Sequence, residues 1–388
     1  MLKFYVVVWA AAVRPRFSRK MRIKIKEREL MKVYRILSIN PGSTSTKIGV
    51  FDNEALLFEE VIRHSKEDLD QYGSIMEQKD MRLKLILELI EKHGIGLETI
   101  DAFVGRGGII APLASGVYPV NERMLHDLQY TSATRHASAL GGIFAHELGA
   151  RYGKPSYIVD PVVVDERIPV AHITGIPGLE RLCVFHALNQ KAVARQYARD
   201  NHKRYEDCSL VVAHLGGGIS VGAHFGGRVV DVSDGINGEG PFSPERCGAI
   251  QADPLIRLCF SGKYTESELL AFVSKRGGVS AHLNTTDMRE CEKMMDDGDE
   301  RAKLVFESMA YNVAKTIGAM LAALQGKAEA VILTGGVAYS KRFTSLISRY
   351  VGDMAPIVIY PGEDELKALA QGALRVLSGE EEPREYVG

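Results

Sequence analysis

A two-domain α/β protein built from a duplicated topology is predicted for this 388-residue chain by three observations. A strand running into a glycine/hydroxyl turn occurs three times, at Ile36 to Lys47, Leu210 to Ser220 and Val331 to Val337. Each half opens on three hairpin-linked strands. Helix–strand alternation then follows in both halves, which is the pattern of sheets covered by helices.

In the first half, RILSIN turns through Pro41 and Gly42 into Ser43, Thr44, Ser45 and Thr46 and resumes as Ile48 to Phe51. ALLFEEVIRH reads as a third strand, and Arg82 to His93 carries Leu83, Ile86, Leu87 and Ile90 at helical spacing. IDAFVGRGG is a strand ending in a glycine turn, Leu140 to Tyr152 a helix, and SYIVDP a strand stopped by Pro161. The second half restarts with SLVVAHL, ISVGAHF and GRVVDVS. Helices are expected near Pro254 to Phe260, Glu266 to Val273 and Arg301 to Gln325. AVILTGG, a helix from Arg342 to Tyr350, PIVIY and a closing helix from Asp364 to Leu377 complete the pattern.

The turns have the chemistry of phosphate cradles. Missing Cβ atoms at Gly216, Gly217 and Gly218 let backbone N–H groups approach an anion, and Gly335 and Gly336 open toward a helix whose N-terminal amides favour negative charge. A single glycine turn is more often structural, but three after buried strands carry more weight. Neither the G-x-x-x-x-G-K-[ST] loop nor a G-x-G-x-x-G opening a helix after a strand is present, which excludes those two nucleotide-binding fingerprints.

Apolar residues make up 46% of the chain, enough for a core in each of two domains. Five cysteines without a C-x-x-C pair argue against a disulfide framework or a zinc site and for a reducing, cytoplasmic setting. Residues 1–30 hold nine Lys/Arg and two Glu of the chain's 48 basic and 49 acidic residues, leaving 39 and 47 and a net charge near −8 on the rest. We read them as a basic N-terminal extension or an upstream start before Met31. The acidic body does not favour nucleic acid, and no later stretch approaches the ~18 apolar residues of a membrane span.

The turns NPGSTSTK, HLGGGIS and LTGGVA, together with the topology, resemble the superfamily of acetate kinase, sugar kinases, actin and the heat-shock ATPases. Within it the chain resembles the acetate and butyrate kinase family over nearly everything after Met31. VGRGG, TRHASALGG, VDPVVVDE, VFHALNQ and DGINGEGPFSPERCGA look like the butyrate kinases of that family. The resemblance implies a duplicated ribonuclease H-like, actin-like ATPase fold with mixed five-stranded sheets. It implies one domain of residues 31–163 plus 364–388 and another of 164–363, with a hinge near Pro161 to Pro177. The implied reaction is butanoate + ATP = butanoyl phosphate + ADP, with Mg2+, in a homo-oligomer whose partners are small carboxylic acids or acyl phosphates.

A carboxylate acceptor is already an anion, so catalysis needs positioning and charge neutralisation and no general base. Arg106 follows a strand end, where sites of α/β sheets gather, and its fork could bind a carboxylate or the moving phosphoryl group. Arg246 in ERCGA resembles the acetate kinase arginine segment. His186 in FHALNQ echoes the family's F-H-G-T-S-H, with Gln190 replacing the second histidine, and His136 matches a substrate-side histidine. Asp160 and Asn40 are the candidate magnesium ligands by resemblance, and Asp160 could equally be a turn cap. The family's further metal-site glutamate falls to Glu363 or Glu365, or to water. Gly216, Gly217 and Gly218 are expected at the β- and γ-phosphates, Gly335 and Gly336 at the α-phosphate and ribose, and Ser43 and Ser45 as hydroxyl donors. Lys47 is either a phosphate ligand or a solvated edge charge. A nucleotide-operated interaction protein and a sugar kinase, which needs a carboxylate base, are the alternatives.

Overall fold

The computed structural model describes residues 32–131 and 136–388, so the basic extension and Ser132 to Arg135 lie outside the described residues. Three strands open the chain: β1 (Arg35–Pro41), β2 (Ser45–Asp52) and β3 (Ala55–Arg63). Helix α1 (Lys79–Lys92) follows, then β4 (Ala102–Gly105), β5 (Val117–Pro119), α2 (Ala139–Tyr152) and β6 (Ser156–Val159). The order β3-β2-β1-β4-β6-β5 makes one sheet, with β1, β4 and β6 parallel and the others antiparallel to their neighbours.

Helix α3 (Ala187–Asp200) leads to β7 (Ser209–Leu215), β8 (Ile219–Phe225) and β9 (Arg228–Val232). The long α4 (Glu300–Ala323), β10 (Ala330–Gly335), α5 (Lys341–Val351), β11 (Ile357–Pro361) and α6 (Glu365–Leu377) complete the chain. The second sheet runs β11-β10-β7-β8-β9, with β7, β10 and β11 parallel. The order of β9-β8-β7-β10-β11 reproduces that of β3-β2-β1-β4-β6, so the duplication predicted from the sequence is present in the strand order. The first sheet has six strands where five were expected. The extra one, β5, has three residues inside a Gly/Ser/Pro-rich stretch and pairs antiparallel to β6 at the edge, too short to show a period-2 pattern.

Each sheet is covered on both faces, which explains the continuous apolar runs of its central strands. Leu37, Ile39 and Phe103 pack with Leu83 and Ile86 of α1 and Ile143 and Phe144 of α2. The other face of the same sheet packs on Leu366, Leu369 and Ala373 of α6 and on Leu188 of α3. Val211, Val221 and Leu333 face α4 and α5, while Val212 and Ile332 face Val193 and Ala194 of α3. Helices α3 and α6 therefore form a layer between the sheets, and the termini of both frame the cleft. Among the described residues no helix is long and apolar enough to cross a membrane.

Candidate active site

The carboxyl ends of β1 and β4 deliver Asn40 and Arg106 side by side, with the Arg106 N–H donating to Ile39 O at 3.0 Å. Close packing sets Arg106: a Cβ on Gly105 would lie 1.9 Å from Gly141 O, so only glycine lets α2 seat against the strand end. Glu365, at the start of α6, accepts from Asn40 Nδ2 on one carboxylate oxygen and from Arg106 Nη1 on the other. One glutamate thus ties together two side chains that lie 325 and 259 residues away in sequence.

Arg106 also lines a cavity of ≈110 Å³ with His136, His186 and Arg246. Ile109, Val162, Val184, Phe185 and Ile236 supply its apolar wall, and no carboxylate among the described residues lines it. His186 sits at the N-terminus of α3, with Nδ1 2.9 Å from Ser220 Oγ, and Gln190 Nε2 donates to the same hydroxyl at 2.9 Å. Gln190 thus holds the hydroxyl on which His186 rests. His136 Nδ1 is 2.9 Å from Ser138 Oγ. Burial, followed by His214, Arg246 and Arg106, holds the His186 imidazole well below its usual pKa, so it is neutral near pH 7.

Arg246 rests against Gly218, where a Cβ would come 1.9 Å from its Nη1, and that nitrogen donates to Gly235 O. Its Nε is buried without a hydrogen-bond partner, and burial lowers its pKa. Arg246 thus brings a largely buried guanidinium, with no carboxylate among the described residues in hydrogen-bond contact, to the wall of that cavity.

A larger cavity of ≈700 Å³ adjoins the glycine turns, lined by Gly216, Gly217, Gly336, Tyr339, Ser340, Arg289 and Glu363 among others. Gly335 has φ +88°, and a Cβ there would sit 2.4 Å from Leu215 O, so the third turn requires glycine on both counts. Gly216 departs from expectation: its N–H is taken up within the turn by Gly218 O at 3.1 Å. Gly218 shapes the Arg246 side of the turn.

Ser43 and Ser45 line neither cavity. The hairpin that carries them is held from beneath by Arg82, which is fully buried and donates from Nη1 to Gly42 O (2.8 Å) and from Nη2 to Ser43 O (2.8 Å). Lys47 pairs across from Asn40 in the β1–β2 ladder, and its charge pulls down the Glu363 carboxyl, which burial and then Glu365 push up. It is therefore close to the cleft and not only an edge charge.

Asp160 is engaged elsewhere. It is buried, has φ +39°, accepts from Gly116 N–H at 2.8 Å and pairs with Arg195 of α3 at 3.0 Å. Its charged neighbours are Arg195, Lys191 and Arg375, none of which lines either cavity of the cleft. The turn-cap alternative describes its contacts better than the metal-ligand one.

The sequence reading singled out neither His214 nor Arg82 as part of the cleft, and it left Glu363 and Glu365 as alternatives, of which Glu365 is the one that meets Asn40 and Arg106. His214 was legible as the last polar residue of β7 before the glycine turn. Its ring stacks on His186 with centroids 3.8 Å apart, and its Nδ1 lies 2.7 Å from Asn189 Oδ1.

The acetokinase family matches residues 178–349. That acetokinase segment contains His186, His214, the two later glycine turns and Arg246, whereas Asn40, Arg106 and Glu365 lie outside it and reach the same cleft through the fold. Among solved structures, acetate kinase from Porphyromonas gingivalis is similar with a TM-score of 0.74 and 18% identity, over 89% of this chain and 100% of that one. A propionate kinase from Francisella tularensis gives 0.70 and 18%, over 87% and 98%. Acetate kinase from Entamoeba histolytica gives 0.71 and 17%, over 87% and 98%. At these identities the likeness is one of fold, and it places the two-sheet architecture among the acetate-kinase-like structures.

Proposed function

We propose that the chain is a carboxylate kinase that moves the γ-phosphoryl group of ATP to a short-chain acid, with butanoate or a branched C4 acid preferred. The observation that carries this reading is the acceptor cavity itself. It offers two arginines and two histidines and no carboxylate among its described lining residues, which suits an acceptor that is already ionised. A sugar hydroxyl would need a base there, so the sugar-kinase reading finds no support. The acetokinase match over residues 178–349 and the acetate-kinase-like fold agree with it.

In this reading Arg106 and Arg246 hold the acid and the transferring group from two sides. One carboxylate oxygen attacks the γ-phosphorus, the bond from that phosphorus to the β,γ-bridging oxygen breaks, and ADP leaves with the electron pair. No proton moves. Neutral His186 donates one hydrogen bond to the equatorial oxygens, and the amides of Gly217 and Gly218 face the phosphate chain. Residues 31–163 with 364–388 close on 164–363 and exclude water from the anhydride formed.

The chemistry of the groups around Asn40 fits a magnesium ion: the Asn40 amide oxygen and the Glu365 carboxylate, which meet in the cleft, are hard oxygen donors. Bound there, the ion would supply positive charge against the phosphate chain. Asn40 and Glu365 would hold it, and Asp160 would not.

The apolar end sets chain length. A cavity of ~150 Å³ accepts a six-carbon ring, so ≈110 Å³ suits a chain of about four carbons. Each methylene is worth ~0.8 kcal/mol, so selectivity between neighbouring acids is several-fold. Acyl phosphate trapped with hydroxylamine, from ATP, magnesium and acids from acetate to valerate including isobutyrate, tests this. A maximum at C4 is expected and a maximum at acetate overturns the chain-length assignment. Absence of product with every acid overturns the kinase. Arg106→Ala and Arg246→Ala should each lower turnover 10²- to 10³-fold while the chain stays folded.

A further inference from the structure

A cavity of ≈680 Å³ opens away from the acyl cleft, between α3, the β8–β9 turn at Gly227 and the segment that follows α6. Arg195, Arg199, Lys203, Arg204, Arg375 and Arg384 line it, against Glu206, Glu380, Glu381 and Glu382. A chain whose body is acidic has gathered six cations on one cavity.

Several of these cations are already paired: Arg195 with Asp160 at 3.0 Å, Arg204 with Glu206 at 3.3 Å, Arg375 with Glu381 at 2.6 Å, and Lys203 with Glu329. Arg199 and Arg384 form no ion pair among the described residues. Arg375 Nη2 is buried with no hydrogen-bond partner, although Nε of the same side chain is taken by Glu381. Guanidinium forks match phosphoryl oxygens two at a time. The volume exceeds that of one phosphate with a water or two, since a water takes ~30 Å³.

We propose that this cavity is a second anion site, for a small ligand carrying two or more phosphoryl groups, with the exposed Arg199 and Arg384 as its receptors. It is separate from the catalytic cleft and does not depend on the kinase reading. Lys191, Arg195 and Arg199 recur every four residues along α3 and so share a face, whereas Asn189 and Gln190 of the same helix support His214 and Ser220. The ligand would sit against the helix that carries His186.

Calorimetric titration of the full chain with inorganic tripolyphosphate tests the proposal, using wild type, Arg246→Ala and Arg199→Ala/Arg384→Ala. Both rim arginines are exposed, so the double substitution leaves the core intact, and thermal melting checks this. Binding that persists in Arg246→Ala and weakens at least tenfold in the double variant is expected, with recovery in Arg199→Lys/Arg384→Lys. Equal binding by wild type and the double variant, or no uptake at millimolar tripolyphosphate, overturns it. A parallel titration with ATP separates the sources: a second ATP equivalent lost in the double variant identifies a nucleotide, and tripolyphosphate binding alone identifies a free oligophosphate.

Discussion

The imidazole rings of His186 and His214 lie stacked, 3.8 Å between centroids and 10° from parallel. Each is fixed by its Nδ1, His186 on Ser220 and His214 on Asn189, so the pair forms a rigid edge between the acceptor cavity and the glycine turn. Burial holds both neutral, His214 at about 4. On the proposed mechanism His186→Ala should lower kcat about 10²-fold with little change in KM, the signature of a hydrogen bond made only to the transition state. His214→Ala should act through the ring it supports and cost about tenfold. Steady-state kinetics on the two variants checks the order, and a larger loss at His214 would reverse the roles assigned.

Glu365 and Asp160 give opposite signatures. Glu365→Gln should raise the magnesium concentration needed for half-maximal rate by tenfold or more, with thermal stability nearly unchanged. Asp160→Asn breaks a buried pair with Arg195, a loss on the order of 3–5 kcal/mol. It should leave the magnesium requirement of the folded fraction where it was. Magnesium titration of the rate, beside denaturant unfolding, distinguishes the two.

Arg82 is a buried guanidinium that among the described residues has no acidic partner, and its donors are spent on the carbonyls of Gly42, Ser43 and Ser45 and on Gln78. Burial lowers its pKa to about 10. Arg82→Met leaves those carbonyls unmet and should destabilise the chain by about 2–4 kcal/mol. Denaturant midpoints measure it, and a loss below ~1 kcal/mol would show that water replaces the guanidinium.

Buried histidines set the acid side of the stability profile. His224 is enclosed by Tyr205 Oη at 2.8 Å and Gln190 Oε1 at 3.1 Å, and burial, then Lys191 and Arg195, hold its pKa well below 6.5. His64 lies at about 4 for the same first reason, with Arg82 adding to it. Their native forms refuse a proton that the unfolded chain accepts near pH 6.5. Stability is therefore complete above that pH and falls below it, by up to about 1.4 kcal/mol per pH unit for each group. Thermal melts from pH 7.5 to 5 should show this decline, and His224→Gln should flatten it. An unchanged slope in that variant would mean that His224 protonates without loss of the fold.

The strand and turn grammar was readable because it is local: apolar runs, glycine at tight turns and helical spacing each need only a short window of chain. Arg106, Arg246, His186 and His136, which line one cavity, were candidates chiefly through the family resemblance of the segments that carry them, since a lone arginine or histidine is more often structural. What a local reading does not carry is the partner a side chain meets far along the chain. Asp160 and Glu365 are both acidic residues at element ends, and nothing nearby in sequence tells them apart. Arg82 looked like one more polar residue of an amphipathic helix.

By itself, then, the sequence determined the two α/β halves and their repeated opening on three strands, and it offered the arginines and histidines of the cleft as candidates. The tertiary structure decided which groups meet. It laid α3 and α6 between the sheets and brought Glu365 to Asn40 and Arg106 across 325 and 259 residues. It also drew Asp160 onto Arg195 and added β5 as a sixth strand. The physical reason is the range of the forces: backbone propensity and side-chain periodicity act over a few residues, whereas burial and charge pairing act between whatever surfaces the packed layers bring into contact.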